Sequence, residues 1–203
     1  MTMLTSRFSQ ALVYAADAHK DQARKGTEVP YIAHVLAVAA LALENSANED
    51  EAIAALLHDT VEDCGGLPRL ADVRERFGPA VADIVMGCSD STETPKPPWK
   101  ERKQSYLHEL DAASPSVLLV SACDKLHNVR SLLVSVRNDG EAAWARFKGG
   151  KEGTLWYYRA ALATLKRCGV SPRLTHELEI SLEELHRAVN STVPLSDVHF
   201  PDA

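Results

Sequence analysis

A chain of 203 residues fits one domain and can bury a sizeable core, and its 45% hydrophobic and 25% charged content is ordinary for a globular protein. The 28 acidic against 22 basic residues leave a net charge of −6, which argues against a general nucleic-acid or membrane-surface role. No apolar run approaches a membrane span and no signal peptide is visible. Cys64, Cys88, Cys123 and Cys168 lie far apart without a Cys-x-x-Cys pair, so the chain reads as a cytoplasmic protein with reduced thiols and neither a membrane nor a nucleic-acid partner.

In chain order, Leu4, Phe8, Leu12 and Ala15 set an amphipathic helix over residues 4–19. A polar, basic loop follows from His19 to Pro30, containing Arg24, Lys25 and Gly26. Pro30 can open the next helix, and Tyr31 to Leu43 is apolar almost all round, as a buried helix is, with His34 inside it. Asn48 with Glu51 three residues on has the form of a capping box, opening a helix that the spacing carries through Cys64 until Gly65-Gly66 ends it. Short helices are predicted near 70–77 and 80–88, with Gly78-Pro79 between them. Residues 89–99, from Ser89 to Trp99, read as a mobile loop, and a basic helix at 100–112 carries Lys100, Arg102 and Lys103.

Ser114-Pro115 has the form of an N-cap and first-turn pair for a long helix over 115–136. In it Ser121, Asp124, Asn128, Ser131 and Ser135 form a polar stripe that needs hydrogen-bond partners or a cavity. Helices near 141–147, 153–168 and 173–189 follow, the first two separated by the basic turn Lys148-Gly149-Gly150-Lys151. No strand pattern, repeat or low-complexity segment emerges. The fold class is all-α, with one domain over 1–190 and a tail over 191–203.

The stretch Leu57-His58-Asp59-Thr60-Val61-Glu62-Asp63 concentrates the chemistry. At about 100° per residue its apolar and small residues fill one arc of a helix, while His58, Asp59, Glu62 and Asp63 fill the other. Three carboxylates packed so closely are unfavourable unless something positive sits among them, and a metal ion fits that need. The ligand candidates are His34, His58, Asp59 and Asp124, on three separate elements. Two imidazoles and two carboxylates suit Mn²⁺, Fe²⁺ or Zn²⁺ better than Mg²⁺ or Ca²⁺. Taken singly, His34 also reads as a satisfied core histidine and Asp124 as a hydrogen-bonded helix residue. Glu62 and Asp63, one turn beyond the His-Asp pair, are placed to act as general base on a water beside the metal, or else form a solvated acidic helix end. Arg24 and Lys25 can hold phosphates or stack on a base, or be plain surface charge. Asn128 shares the stripe of Asp124, and Lys151 is a further phosphate contact by its place in the basic turn.

Three strings in this sequence resemble a known family: Gln22-Ala23-Arg24-Lys25 with Pro30-Tyr31-Ile32-Ala33-His34, then His58–Asp63, then Asp124-Lys125-Leu126-His127-Asn128-Val129-Arg130. They match the HD superfamily of phosphohydrolases and, within it, the hydrolase domain of the Rel/SpoT alarmone enzymes, over about residues 4–168. The resemblance implies an HD-domain helical bundle around one Mn²⁺ that hydrolyses the 3′-pyrophosphate of (p)ppGpp to GDP or GTP and pyrophosphate. It implies His34, His58, Asp59 and Asp124 as metal ligands and Glu62 and Asp63 as the groups that orient and deprotonate water. Arg24, Lys25 and Asn128 would hold the nucleotide. The length implies a stand-alone small alarmone hydrolase, similar in layout to the metazoan SpoT homologue.

Rival readings keep the centre and change the reaction, to removal of the 2′-phosphate of NADPH or hydrolysis of an adenosine alarmone of the ppApp type, or keep the fold as a nucleotide sensor without turnover. Released orthophosphate would mark the first, and binding without products the last. Glu62 and Asp63 argue against a sensor, which has no need of a base beside a metal.

Overall fold

The computed structural model describes residues 2–92 and 95–190. Every regular element among them is helical: α1 (Ser6–Ala18), α2 (Ile32–Glu44), α3 (Glu49–Leu57), α4 (Thr60–Cys64), α5 (Gly66–Phe77), α6 (Pro79–Cys88), α7 (Trp99–Leu110), α8 (Pro115–Asp139), a 3-10 segment (Gly140–Arg146), α9 (Gly150–Arg167) and α10 (Pro172–Asn190). The all-α expectation holds. The only β-type pairing among the described residues is an isolated bridge between Ala23 and Pro30, which closes the basic loop at its neck. No helix among them is long and apolar enough to cross a membrane.

The short helix α3 lies at the centre. Ala52 to Leu57 are all buried, and α1, α2, α6 and α8 pack around them. Its start is the capping box read from the sequence: Asn48 Oδ1 accepts from the Glu51 amide at 3.0 Å, and Glu51 Oε2 accepts from the Asn48 amide at 2.8 Å. The long α8 is the second axis, capped by the Ser114 hydroxyl, with α10 lying along it. The tail predicted from residue 191 lies outside the described residues.

One expectation needs correction. The periodicity predicts a single helix from Asn48 to Cys64, but the helix is interrupted between α3 and α4, at His58 and Asp59. Asp59 has ψ −7°, well away from the helical value. At the interruption Thr60 Oγ1 donates to the Leu57 carbonyl at 2.7 Å, and His58 Nδ1 contacts the Ala55 carbonyl at 2.9 Å. Side chains that bond nearby carbonyls offer the backbone an alternative to the helical ladder. Smaller differences have similar local causes. Helix α5 begins at Gly66 rather than near Leu70, because Pro68 sits in a first turn, where its missing N–H costs nothing. The predicted helix near 141–147 is a 3-10 segment, and α9 starts at Gly150, absorbing half of the basic turn.

The crossing of α6 and α8 depends on a missing side chain. A Cβ built on Gly87 would lie 2.6 Å from Cγ2 and 3.0 Å from Cγ1 of Val117. Valine is stiff at χ1 and cannot turn both methyls away. Gly87→Ala is therefore expected to destabilise the protein by about 1–3 kcal/mol despite alanine's better helix propensity. Chemical denaturation measures it, and a stabilised variant would show that this crossing has slack.

Candidate metal centre and catalytic pocket

The break between α3 and α4 brings His58 and Asp59 to the same point as His34 from the first turns of α2 and Asp124 from the middle of α8. His34, His58 and Asp59 present ligand atoms within 4.8 Å of one another, a grouping that can hold a metal ion. Asp59 Oδ2 lies 3.3 Å from His34 Nε2 and 3.0 Å from His58 Nε2. Asp124 Oδ1 faces the same nitrogens at 3.2 and 3.6 Å. Both Nε2 atoms are nonetheless buried without a hydrogen-bond partner.

Each ring is held from behind. A carbonyl can only accept, so His58 Nδ1 carries the proton given to Ala55, and its Nε2 lone pair faces the cluster in the neutral ring. His34 Nδ1 is 2.7 Å from His127 Nδ1. Burial and the neighbouring His34 pull the His127 imidazole down to about 4, so this ring stays neutral and is able to accept from His34 Nδ1, the arrangement that turns the His34 Nε2 lone pair to the cluster. Two imidazole lone pairs converging on two carboxylates, all at low exposure, form a donor set suited to a cation. It is a candidate divalent-metal centre.

The field at the cluster agrees. Burial works against ionising Asp59, yet the His58 and His34 rings hold its carboxyl well below the usual range. Burial likewise opposes the charge on Asp124, but Lys125 first, and then the two histidines, keep it ionised. Burial also disfavours charge on His58, and Asp59 and Asp124 outweigh it and raise its basicity well above normal. The two carboxylates thus favour positive charge at this point, whether a proton or a metal ion supplies it.

Two adjoining cavities open from this point and share Arg24, Tyr31, Asp63 and Asn128. The smaller, about 200 Å³, is lined by Asp59, Glu62, Asp90, Lys103, Asp124 and Lys125 among others. Burial, and next the charge of Asp90, raise the Glu62 carboxyl. Lys96 Nζ reaches Glu62 Oε1 at 2.8 Å. Asp63 is raised by burial and by Asp59. The larger cavity, about 880 Å³, runs past His127, Ser131 and Ser135 to Asn138 and Arg146, so the polar stripe of α8 faces the cavity it requires. Arg24 donates to Asn128 Oδ1 at 2.6 Å and lies over the Tyr31 ring, and Lys25 lines the same space. Lys151 is the exception among the predicted site residues. It lines neither cavity, and its ammonium pairs with Glu141 on the 3-10 segment.

The profile of the family described as the HD domain matches residues 11–155. The chain belongs to the HD domain family. Among relatives of this HD domain, the guanosine-3′,5′-bis(diphosphate) 3′-pyrophosphohydrolase MESH1 of Drosophila melanogaster is 34% identical over 155 residues, covering 71% of this chain and 84% of that protein. The bifunctional (p)ppGpp synthase/hydrolase SpoT of Escherichia coli K12 is 34% identical over 143 residues, which are 69% of this chain and 20% of SpoT. A solved structure reported as a metazoan ortholog of SpoT that hydrolyzes ppGpp superposes with a TM-score of 0.74 at 28% identity, covering 93% of this chain and 99% of that one.

Several pocket residues of this HD domain carry no role in the sequence reading. The Tyr31 hydroxyl donates to Asp59 Oδ2 at 2.7 Å, Gln22 Nε2 donates to Asp63 Oδ2 at 2.9 Å, and Lys125 Nζ donates to Asp124 Oδ2 at 2.6 Å. All three stand inside the quoted strings, as His127 does, so position within those strings was the available signal. Asp90, which Arg102 and Lys103 both bind, and Lys96 lie in the segment read only as an irregular loop.

Proposed function

We propose that this HD domain is a divalent-metal phosphohydrolase that removes the 3′-pyrophosphate of (p)ppGpp, using one water to give GDP or GTP and pyrophosphate. One observation carries the proposal: the unpartnered Nε2 atoms of His34 and His58 face the carboxylates of Asp59 and Asp124 at the junction of two cavities, beside Glu62 and Asp63. The activities for which the relatives are named supply the substrate. His34, His58, Asp59 and Asp124 would hold the ion, and the mixed nitrogen and oxygen donors fit Mn²⁺. Such an ion supplies Lewis-acid polarisation of a phosphoryl oxygen and acidifies water.

The chain's own residues do the rest. Glu62, made more basic than a free glutamate by burial and by Asp90, is suited to accept a proton from the water as it attacks the phosphorus on the 3′ oxygen. Asp63, aimed by Gln22, orients that water. Arg24 and Lys25 offset charge on the phosphates, and Arg24 is braced for this by Asn128 and Tyr31. Asn128 faces the nucleotide side of the junction. Lys151 lines neither cavity and is given no role in this reading.

Purified protein replete with Mn²⁺ is offered ppGpp, ppApp and NADPH in parallel, with products identified. The expected result is pyrophosphate and GDP from ppGpp, abolished by a chelator and restored by Mn²⁺. Orthophosphate from NADPH with intact ppGpp would overturn the reading, as would binding of all three without turnover.

A further inference from the structure

No step above uses the buried imidazole of His19. It follows the last turn of α1, outside the ligand cluster, and is 1% exposed. Its Nδ1 lies 2.6 Å from Gln22 Oε1, with Cys64 Sγ a weaker neighbour at 3.5 Å. Its ring stacks on Tyr31 with centroids 4.9 Å apart and planes 26° from parallel. Two bonds lead from these neighbours into the pocket, Gln22 Nε2 to Asp63 Oδ2 and the Tyr31 hydroxyl to Asp59 Oδ2.

The protons along this path have one consistent assignment. An ionised carboxylate only accepts, so Gln22 turns its NH₂ to Asp63 and its carbonyl oxygen to His19. That oxygen also only accepts, so His19 carries its proton on Nδ1. In the neutral ring Nε2 is then a bare lone pair, and it is buried with no hydrogen-bond partner. Leaving a buried acceptor unsatisfied costs stability, which an apolar ring at this position would not. The imidazole therefore has a use that packing does not supply, and that use is direction.

We propose that His19 is a positioning residue for the hydrolysis: through Gln22 it aims Asp63, and through the stacked Tyr31 it steadies Asp59. One ring outside the pocket thus sets the angle between a carboxylate that handles the water and a carboxylate of the ligand cluster. The kinetic part of this proposal rests on the phosphohydrolase reading; the tautomer and the amide orientation do not.

The variant His19→Phe keeps a stacked aromatic ring at the position, slightly larger than the imidazole, and removes both ring nitrogens, the Nδ1–H donor among them. It is expected to fold with an undiminished Tm, to bind Mn²⁺ in the wild-type ratio, and to lose about 10–100-fold in kcat with KM unchanged. Gln22→Ala should fall in the same range. The double variant should be no worse than Gln22→Ala alone, because both act through one path. His19→Gln, whose amide can again donate to Gln22, should recover part of kcat, which a purely structural role would not give. Full kcat in His19→Phe, or additive losses in the double variant, would overturn the proposal. A separate readout needs no substrate: ¹⁵N shifts of the wild-type imidazole should show the neutral Nδ1–H tautomer, and the Nε2–H tautomer would overturn the path outright. A wild-type protein inactive on every nucleotide would instead strike the proposed function, leaving the tautomer measurement to judge His19.

Discussion

Glu62→Gln is expected to retain the metal in the wild-type ratio and lose about 10²–10⁴-fold in kcat, the range of a positioned general base. The substitution conserves shape. Its amide can still occupy the space between the Asp90 backbone N–H, 3.5 Å from Oε2, and Lys96, 2.8 Å from Oε1. What it cannot do is take a proton. Burial and Asp90 make Glu62 more basic than a free glutamate, and Lys96 only partly offsets them. Steady-state rates on ppGpp, with metal content measured by elemental analysis, separate the two roles of the pocket. An undiminished kcat would remove Glu62 from the chemistry, and a metal-free variant would move it into the ligand set.

His34→Ala is expected to purify without metal and with no metal-dependent turnover. The change deletes the ring whose Nε2 faces Asp59 at 3.3 Å and Asp124 at 3.2 Å, and leaves His127 without its partner. Asp59 and Asp124 then face each other with His58 alone between them. Among the ligand candidates His34 is the cleanest probe, since it comes from α2, away from the break that carries His58 and Asp59. Elemental analysis of the purified variant, beside its circular dichroism, is the measurement. Unaltered metal content in a folded variant would show that the ion is held elsewhere.

The helices were legible because their signals are local. The apolar period of α2, the capping box of α3 and the Ser114-Pro115 start of α8 each act within a few residues of where they are written. The break at His58-Asp59 was not legible, because Thr60 and Val61 continue the helical apolar spacing while the interruption depends on which carbonyls the side chains capture. At the site, His34, His58, Asp59 and Asp124 could be read as chemistry because titratable groups in apolar surroundings are conspicuous in one dimension. Lys125 was missed because it is off the stripe of Asp124 and Asn128: it folds over the Tyr106 ring and returns to Asp124 from the side. Lys96 stands in a segment with no period to place it. The basic turn places Lys151 near phosphates in the sequence, but in the structure that turn runs into α9 at Gly150 and the Lys151 ammonium pairs with Glu141.

The central position of α3 has a thermodynamic consequence. His58 and Asp59 follow directly on six consecutive buried residues, Ala52 to Leu57, and Asp124 sits in the middle of the longest helix. Such ligands cannot part without the core parting too. An ion held by them therefore binds the native chain and not the unfolded one, and folding and occupancy become a single linked equilibrium. At free metal one hundred times its dissociation constant, the link is worth about 2.7 kcal/mol of fold stability. If His34, His58, Asp59 and Asp124 hold the ion as proposed, the same four side chains also set how well the chain survives when divalent metal becomes scarce.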